Sequence, residues 1–276
     1  MKNVLTIFNL LLLMSGYTQT VKNRYEVVDR AIVGYNVGYY NNRPLYINNS
    51  NAFILTGDQP VIRLIKGEYI YGSFMASIKR NGITKWLHKC AHISSFYKPG
   101  RMCWEIKDEE FPGLKVTLET LPMVKTSGMA VCLCTEGAHD GDSLIWMFGG
   151  AQWRKDQNLS WKMDVMGHPE LLNWSFNPEE CKNNQISTSG QSFCVSLTNG
   201  IDVKKIFTTI GCCSESQSYK EKDASKWNDN TLIQSYPGNF PALSGTIAMQ
   251  KEKKIYYTFK LRFIIRSLNI LLTDGL

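Results

Sequence analysis

The sequence lacks every short motif that would identify an enzyme by its catalytic residues. It has no G-x-S-x-G nucleophile turn, no H-E-x-x-H zinc helix and no glycine-rich phosphate loop. It has only four histidines, and two of them, His88 and His92, lie beside predicted strands without a nearby cluster of acids. We interpret both as polar surface residues. The sequence therefore predicts no catalytic residue, no metal site and no cofactor.

A basic face is also missing from the body of the chain. The formal net charge is +7, but six basic residues against two acids lie from Lys251 onward, and Lys2 belongs to the first segment. Nucleic-acid binding needs clustered basic residues with aromatic residues that stack on bases. The dispersed charges of the body argue against a nucleic-acid partner.

Beyond the first segment, no run of about 18 apolar residues occurs, so we expect no transmembrane helix. The first segment has the pattern of a signal peptide, with Lys2, an apolar run from Val4 to Met14 and the small residues Ser15 and Gly16. The alternative is an N-terminal strand or buried helix. We predict a signal peptide over residues 1–20, a domain over 21–266 and a tail over 267–276. The mature protein should be soluble, periplasmic or secreted, and without a membrane partner.

The chain has eight cysteines, at spacings that match neither a small disulfide-stapled domain nor a zinc site. Cys132 and Cys134 should share one face of a strand, whereas the adjacent Cys212 and Cys213 should point to opposite faces. Two interpretations stay open. The thiols act as small buried apolar residues, or an exported chain forms one or more disulfides.

Helical periodicity is almost absent, and short alternating runs bounded by turn residues take its place. Asn81-Gly82 predicts a hairpin, because both residues tolerate positive φ. Strands are predicted over residues 25–40, 52–56, 61–65, 69–79, 83–88, 91–97, 102–106, 114–121, 128–135, 144–148, 191–198, 204–211, 242–249 and 254–265. The last of these carries one apolar face, made of Ile255, Tyr257, Phe259, Leu261, Phe263 and Ile265.

This pattern predicts an all-β fold, a large two-sheet antiparallel β-sandwich (a supersandwich) of roughly fourteen strands. Residues 41–44 are predicted to be a turn, residues 214–230 an exposed loop, and residues 242–265 a hairpin. The stretch from Gly149 to Asn184 has no clear period and is predicted to be a long excursion. One short helix is expected within it at Asn177-Pro178-Glu179-Glu180, because Asn caps helices, Pro fits the first turn and acids favour the positive end of the dipole.

Tryptophans are concentrated where the excursion begins. Flat rings stack on the apolar faces of sugars, and Arg, Asp and Asn side chains pair with hydroxyl groups, as in sites that combine apolar walls with a few polar groups. Trp146 stands at the start of this region. The predicted carbohydrate-binding residues are Trp153, Arg154, Trp161 and Trp174. Two alternatives stay open: the tryptophans pin the long loop to the sandwich, or they contact another domain.

The densest acids, Glu105, Asp108, Glu109 and Glu110, lie at a strand end and in the turn that follows. Glycoside hydrolysis needs two carboxylates about 5–10 Å apart across one bond, and the sequence does not pair any of these acids with a distant partner. We interpret the cluster as a solvated acidic turn.

Several short motifs resemble a known family. They are Gly57-Asp58-Gln59-Pro60, Lys85-Trp86, Pro99-Gly100, Trp104-Glu105-Ile106, Gly149-Gly150-Ala151, Pro178-Glu179-Glu180-Cys181-Lys182-Asn183-Asn184 and Pro237-Gly238-Asn239-Phe240-Pro241. Over about residues 24 to 260, and in this order, the chain resembles a family of exported proteins from gut anaerobes labelled domain of unknown function 4450.

The resemblance implies a role in periplasmic polysaccharide breakdown. Family members are several times longer, and the region similar to this chain is their N-terminal β-supersandwich. An (α/α)6 toroid like that of six-hairpin glycosidases follows it there, and the catalytic carboxylates are expected on that toroid. We expect no toroid in this sequence, so no catalytic residue is carried over. The apolar ending, residues 267–276, is compatible with a truncated chain.

Three functions are compatible with these observations. The favoured one is a non-catalytic sandwich of a glycoside-hydrolase-like protein, with a polysaccharide or oligosaccharide and a helical toroid as partners. The alternative is a self-contained exported glycan-binding module that uses the tryptophans of the excursion. A complete hydrolase within these residues is least favoured, because no carboxylate pair is evident.

Overall fold

The computed structural model describes residues 25–37, 43–47, 51–67, 69–153, 176–197, 205–215, 217–226 and 238–265. The strands of this part are β1 (Tyr25–Val28), β2 (Ala31–Tyr35), β3 (Arg43–Tyr46), β4 (Ala52–Thr56), β5 (Ile62–Lys66), β6 (Tyr69–Arg80), β7 (Ile83–Trp86), β8 (His92–Lys98), β9 (Arg101–Lys107), β10 (Lys115–Pro122), β11 (Gly128–Glu136), β12 (Ser143–Gly149), β13 (Gln152–Trp153), β14 (Asn184–Ser189), β15 (Ser192–Leu197), β16 (Lys205–Cys213), β17 (Tyr219–Asp223), β18 (Pro241–Ala248) and β19 (Lys254–Ile265). Short 3-10 helices cover Leu87–Lys89, Pro178–Cys181 and Ala224–Lys226. Over the described ranges, no helix has the length and hydropathy needed to cross a bilayer.

The strands form two antiparallel sheets. A ten-stranded sheet has the order β1-β2-β8-β9-β10-β11-β19-β16-β15-β14, and a nine-stranded sheet has the order β17-β18-β12-β6-β5-β4-β3, with β7 and β13 also paired to β6. The predicted all-β, two-sheet sandwich with one short helix in the excursion is confirmed. The predicted signal peptide and the tail over residues 267–276 lie outside the described residues.

The main core lies between the inner faces of the two sheets. Alternate residues of each strand point to opposite faces, so one residue in two enters this core. Phe148 of β12 and Phe259 of β19 stack with ring centroids 4.6 Å apart, and Phe74, Trp146 and Tyr257 pack around them. Burial of each large apolar side chain contributes about 1.5–3 kcal/mol, so these contacts hold the sheets together.

A second, smaller core covers the outer face of the nine-stranded sheet. Met75 of β6, Trp86 of β7 and Met147 of β12 pack there against Phe176 and Cys181. The middle of β6 is therefore buried on both faces, and its burial pattern shows no alternation. In the ten-stranded sheet, β9 alternates between buried and half-buried or exposed residues, so the outer face of that sheet is accessible.

Several local predictions are confirmed. Asn81 and Gly82 have φ of 51° and 81°, and Arg80 pairs with Ile83 across this two-residue turn. Along β11, Cys132 and Cys134 are both half-buried, so they share the outer face as predicted. All eight cysteines are free, which favours the interpretation as small apolar residues over the disulfides.

Other local predictions are wrong. Residues 242–265 do not form a hairpin, because β18 pairs with β12 and β17 in one sheet whereas β19 pairs with β11 and β16 in the other. The predicted exposed loop over residues 214–230 contains β17 and a 3-10 helix. The predicted turn over residues 41–44 ends within β3, which begins at Arg43.

Candidate functional site

Trp153 is the one predicted carbohydrate-binding residue among the described residues. It lies on β13 opposite Tyr69 of β6, is half-buried, and its ring stacks with that of Tyr69 at 6.4 Å. Tyr69 stacks in turn on Phe207 of β16 at 3.6 Å. This aromatic ladder is the contact expected if Trp153 pins the excursion to the sandwich, the first of the two alternatives.

The other predicted residues, Arg154, Trp161 and Trp174, lie outside the described residues, so sugar contact by the set stays a prediction. Trp146, which stands at the start of the same region, is a core residue. It has no exposed surface, and its indole Nε1 donates a hydrogen bond of 2.6 Å to Oε1 of Gln217. Trp146 therefore offers no surface to a sugar, because β12 turns this ring into the space between the sheets.

The two ends of the excursion are tied together by Asn184. Its Oδ1 accepts hydrogen bonds from the amides of Gly150 (3.1 Å) and Ala151 (2.9 Å). Its Nδ2 donates to the carbonyl oxygens of Ala151 (2.7 Å) and Glu180 (3.1 Å). One buried side chain thus satisfies four backbone groups, which makes the crossing of the two ends a fixed point.

A buried ion pair reinforces this crossing. The Arg63 guanidinium of β5 donates to the Glu180 carboxylate of the 3-10 helix, and the two side chains are only 3% and 6% exposed. The helix begins as predicted, since Oδ1 of Asn177 accepts from the amide of Glu179 at 3.1 Å. We name this unit, made of Arg63, Gly150, Glu180 and Asn184, the clamp.

The acidic turn is solvated only in part. Glu109 and Glu110 are exposed, but Asp108 is buried and pairs with Nζ of Lys85 at 2.9 Å. Burial alone would raise the pKa of Asp108, but the hydrogen bonds from Lys85 and from the amides of Ala91 and Glu110 outweigh it and lower that pKa. Asp108 is therefore an ionised anchor between β7, β8 and β9.

The interpretation as a polar surface residue holds for His92, which is exposed, and is wrong for His88. His88 is half-buried and its ring lies 6.0 Å from that of Trp86 in a stacked arrangement. Burial, with a smaller contribution from the charge of Lys89, lowers the pKa of His88 to about 4. His88 is thus a neutral packing residue at neutral pH.

Sequence reasoning missed a second anchor at Asp58. This carboxylate accepts hydrogen bonds from the Tyr25 hydroxyl and from Oγ of Ser95 at 3.0 Å, and it pairs with Nη2 of Arg43 at 3.4 Å. Burial, then the hydrogen bond to Asp58, raises the pKa of Tyr25 to about 12. The only sequence signal for this anchor was the turn motif that contains Asp58.

The described residues contain no cluster of three or more His, Cys, Asp or Glu side chains that could hold a metal ion. Their buried carboxylates instead have basic partners. These pairs are Asp58 with Arg43, Asp108 with Lys85, Asp142 with Arg80, and Glu180 with Arg63. The arrangement anchors turns and strands.

The fold of this chain is similar to parts of longer proteins of known structure. A bacterial glucoamylase in complex with acarbose superimposes with a TM-score of 0.50 at 8% identity, over 85% of this chain and 36% of the glucoamylase. A protein from the human microbiome, provisionally described as a kojibiose phosphorylase, gives a TM-score of 0.49 at 9% identity, over 87% of this chain and 33% of that protein. This chain therefore spans about a third of the length of either protein.

At the sequence level, no curated protein matches the chain. One family model does match, over residues 69–264, and its description is Domain of unknown function (DUF4450).

Proposed function

The chain belongs to the DUF4450 family, and on this premise we propose that it is the non-catalytic β-sandwich of a glycoside-hydrolase-like protein that takes part in polysaccharide breakdown. The observation that carries the proposal is the fold. The two-sheet sandwich of this chain corresponds to about a third of a glucoamylase chain, so a carbohydrate-active enzyme contains the same fold as one of its parts.

The state of the buried acids supports a scaffold role. Glycoside hydrolysis requires a carboxylic acid that donates a proton and a second carboxylate across the bond. A carboxylate held by a cation stays ionised and is poorly suited to act as that acid. Asp108 and Asp142 both have lowered pKa values in spite of burial, because Lys85 and Arg80 respectively hydrogen-bond to them.

An exposed apolar surface supports the helical toroid as a partner. Large apolar side chains are exposed on one face of the β1–β2 hairpin, where Val27 is 79% and Ile32 39% exposed. Val27 and Ile32 are directly paired across the hairpin, so they form one continuous apolar surface. Exposed apolar clusters of this kind mark protein contacts.

Export to the periplasm is the second part of the proposal. It is supported by the pattern of Lys2 and the apolar run from Val4 to Met14. The thiols of the buried cysteines are compatible with an oxidising compartment, because burial raises the pKa of Cys90 to about 12 and keeps the reactive thiolate scarce.

Two measurements test the proposal. The purified chain is incubated with soluble starch, α-mannan and xylan, and released reducing ends are compared with a buffer blank and with a glucoamylase as positive control. We expect no release above the blank. The DNA that follows codon 276 is then read in all frames, where we expect a helix-rich toroid. Turnover of any of these polysaccharides by the isolated chain would refute the non-catalytic assignment.

A further inference from the structure

An open pocket of about 230 Å³ lies on the outer face of the ten-stranded sheet, over β2, β8 and β9. Its floor is one row of side chains across these strands, in which Val33 pairs with Phe96 and Phe96 pairs with Cys103. Val33 is 1% exposed, and the other two are half-buried. Since strands lie about 4.8 Å apart, the floor is an apolar strip that spans roughly 10 Å.

Four charged residues form the rim of the pocket. Asp29 comes from the β1–β2 turn, Lys98 and Arg101 are paired at the β8–β9 hairpin, and Glu105 lies further along β9. Two are acids and two are bases, so the rim presents both signs of charge. The Arg101 guanidinium is held in place by Glu119 of β10, through contacts of 2.6 Å from Nε and 3.0 Å from Nη2.

This combination selects a class of ligand. Asp29 and Glu105 disfavour an anion, Lys98 and Arg101 disfavour a cation, and a purely apolar ligand would desolvate the charged side chains of the rim. A sugar ring has an apolar C–H face for the floor, and its hydroxyl groups both donate and accept hydrogen bonds. We infer that the pocket binds one ring of a neutral oligosaccharide, an inference that rests on the proposed carbohydrate role.

A second ring position lies further along the same row. Cys103 pairs with Glu119, Glu119 with Cys132, and Cys132 with Tyr256 of β19. Tyr256 is 50% exposed, and it lies three strands from the pocket floor, roughly 14 Å away at the usual strand spacing. An oligosaccharide laid across the strands therefore reaches both the pocket and the Tyr256 ring.

The test is calorimetric titration of the full chain with maltohexaose, cellohexaose, mannohexaose and xylohexaose. We expect at least one of them to bind. Phe96→Ala and Arg101→Ala should each weaken that sugar about tenfold, the effect of 1.4 kcal/mol. Tyr256→Ala should weaken the hexasaccharide and leave the disaccharide of the same series unchanged. Two exposed residues away from the pocket, Tyr46 and Arg262, give the matched alanine controls, which should bind as the parent chain does.

Each outcome is decisive for the inference. Failure of all four sugars to bind, or binding that the Phe96 and Arg101 variants leave unchanged, would overturn it. Tighter binding of an acidic oligogalacturonate than of any neutral sugar would overturn the ligand class. Neither result affects the turnover assay that tests the proposed function. Phe96→Leu keeps the floor apolar and removes the ring, so it replaces Phe96→Ala if circular dichroism shows that variant to be unfolded.

Discussion

Removal of the Glu180 carboxylate should be one of the most damaging single changes in this protein. The side chains of Glu180 and Arg63 are 6% and 3% exposed, so the variant Glu180→Leu leaves a guanidinium buried without its counter-ion. Breaking a buried pair from one side costs about 3–5 kcal/mol. The reverse variant, Arg63→Met, strands the carboxylate and should cost a similar amount. Either loss is a large fraction of the stability of an ordinary domain, about 5–15 kcal/mol.

The double variant, Arg63→Met with Glu180→Leu, should recover most of this loss. Both charges are then gone, and apolar side chains of similar volume fill the same space, which is often neutral or stabilising. The expected coupling energy is therefore several kcal/mol, well above the roughly 0.5 kcal/mol scatter of independent sites. Lys115→Met breaks a more exposed pair with Glu136 and should cost no more than about 1 kcal/mol.

Urea titration followed by tryptophan fluorescence and far-UV circular dichroism measures all of these free energies. The fluorescence reports the core, since Trp86, Trp104 and Trp146 are fully buried, and circular dichroism reports the sheets. Equal m-values in all variants are required for the comparison. If the double variant lost the sum of the two single losses, the pair would not be coupled, and the role assigned to the clamp would be wrong.

Three further changes test other parts of the structure. The pKa of His88 is lowered from 6.5 to about 4, so the free energy of unfolding should fall by up to roughly 3 kcal/mol as the pH falls from 6.5 to 4. In His88→Phe the urea midpoint should fall less over this pH range. The same pH dependence in the variant and the parent chain would contradict this. Gly72→Ala places a Cβ 2.3 Å from the ring of Phe148, so its thermal midpoint should drop by several degrees, and a parental midpoint would refute the close approach. In the native protein, iodoacetamide should alkylate the half-buried Cys194 long before the fully buried Cys181. Peptide mass spectrometry follows both reactions, and equal alkylation rates at the two cysteines would contradict the described burial.

The strands that sequence patterns missed are mostly at sheet edges. Tyr219–Asp223 (β17) and Arg43–Tyr46 (β3) close the nine-stranded sheet, and Asn184–Ser189 (β14) closes one side of the ten-stranded sheet. An edge strand buries little of either face, so its residues are polar and show no period-two alternation. β3 even carries Pro44, which has no backbone N–H. An edge strand tolerates proline because one side of its backbone pairs with no other strand. Central strands such as β10 and β19 were found because one face of each is buried.

The alternation of apolar and polar residues also does not determine which sheet a strand joins. Residues 242–249 and 254–265 both alternate clearly, and the short connection between them suggested a hairpin. The structure instead places them in different sheets. An inward-facing row has the same pattern whichever sheet carries it, so the sequence predicts burial of one face and leaves pairing partners undetermined.

The sequence also does not predict which basic residue pairs with which buried acid. Arg63 and Glu180 are separated by 117 residues, and Arg80 and Asp142 by 62. No local rule relates residues at such distances, whereas the Asn177 cap was predicted because its partner is two residues away. For the same reason, Asp108 was assigned to a solvated turn although Lys85 lies beside it in space.

The motifs that resemble the family coincide with these long-range contacts. The Gly57 carbonyl accepts from Nε1 of Trp104 at 3.0 Å, and the motifs around Gly150 and Asn184 meet in the clamp. Such residues build the sandwich, which explains why family membership and fold agree. Glu105 differs from its motif neighbour Trp104, because it points outward from β9 and lines the pocket. Glu105 belongs to a motif that builds the fold, yet its side chain takes no part in the core, and such exposed positions are where binding residues are expected. Glu105→Gln should therefore weaken sugar binding and leave the urea midpoint unchanged.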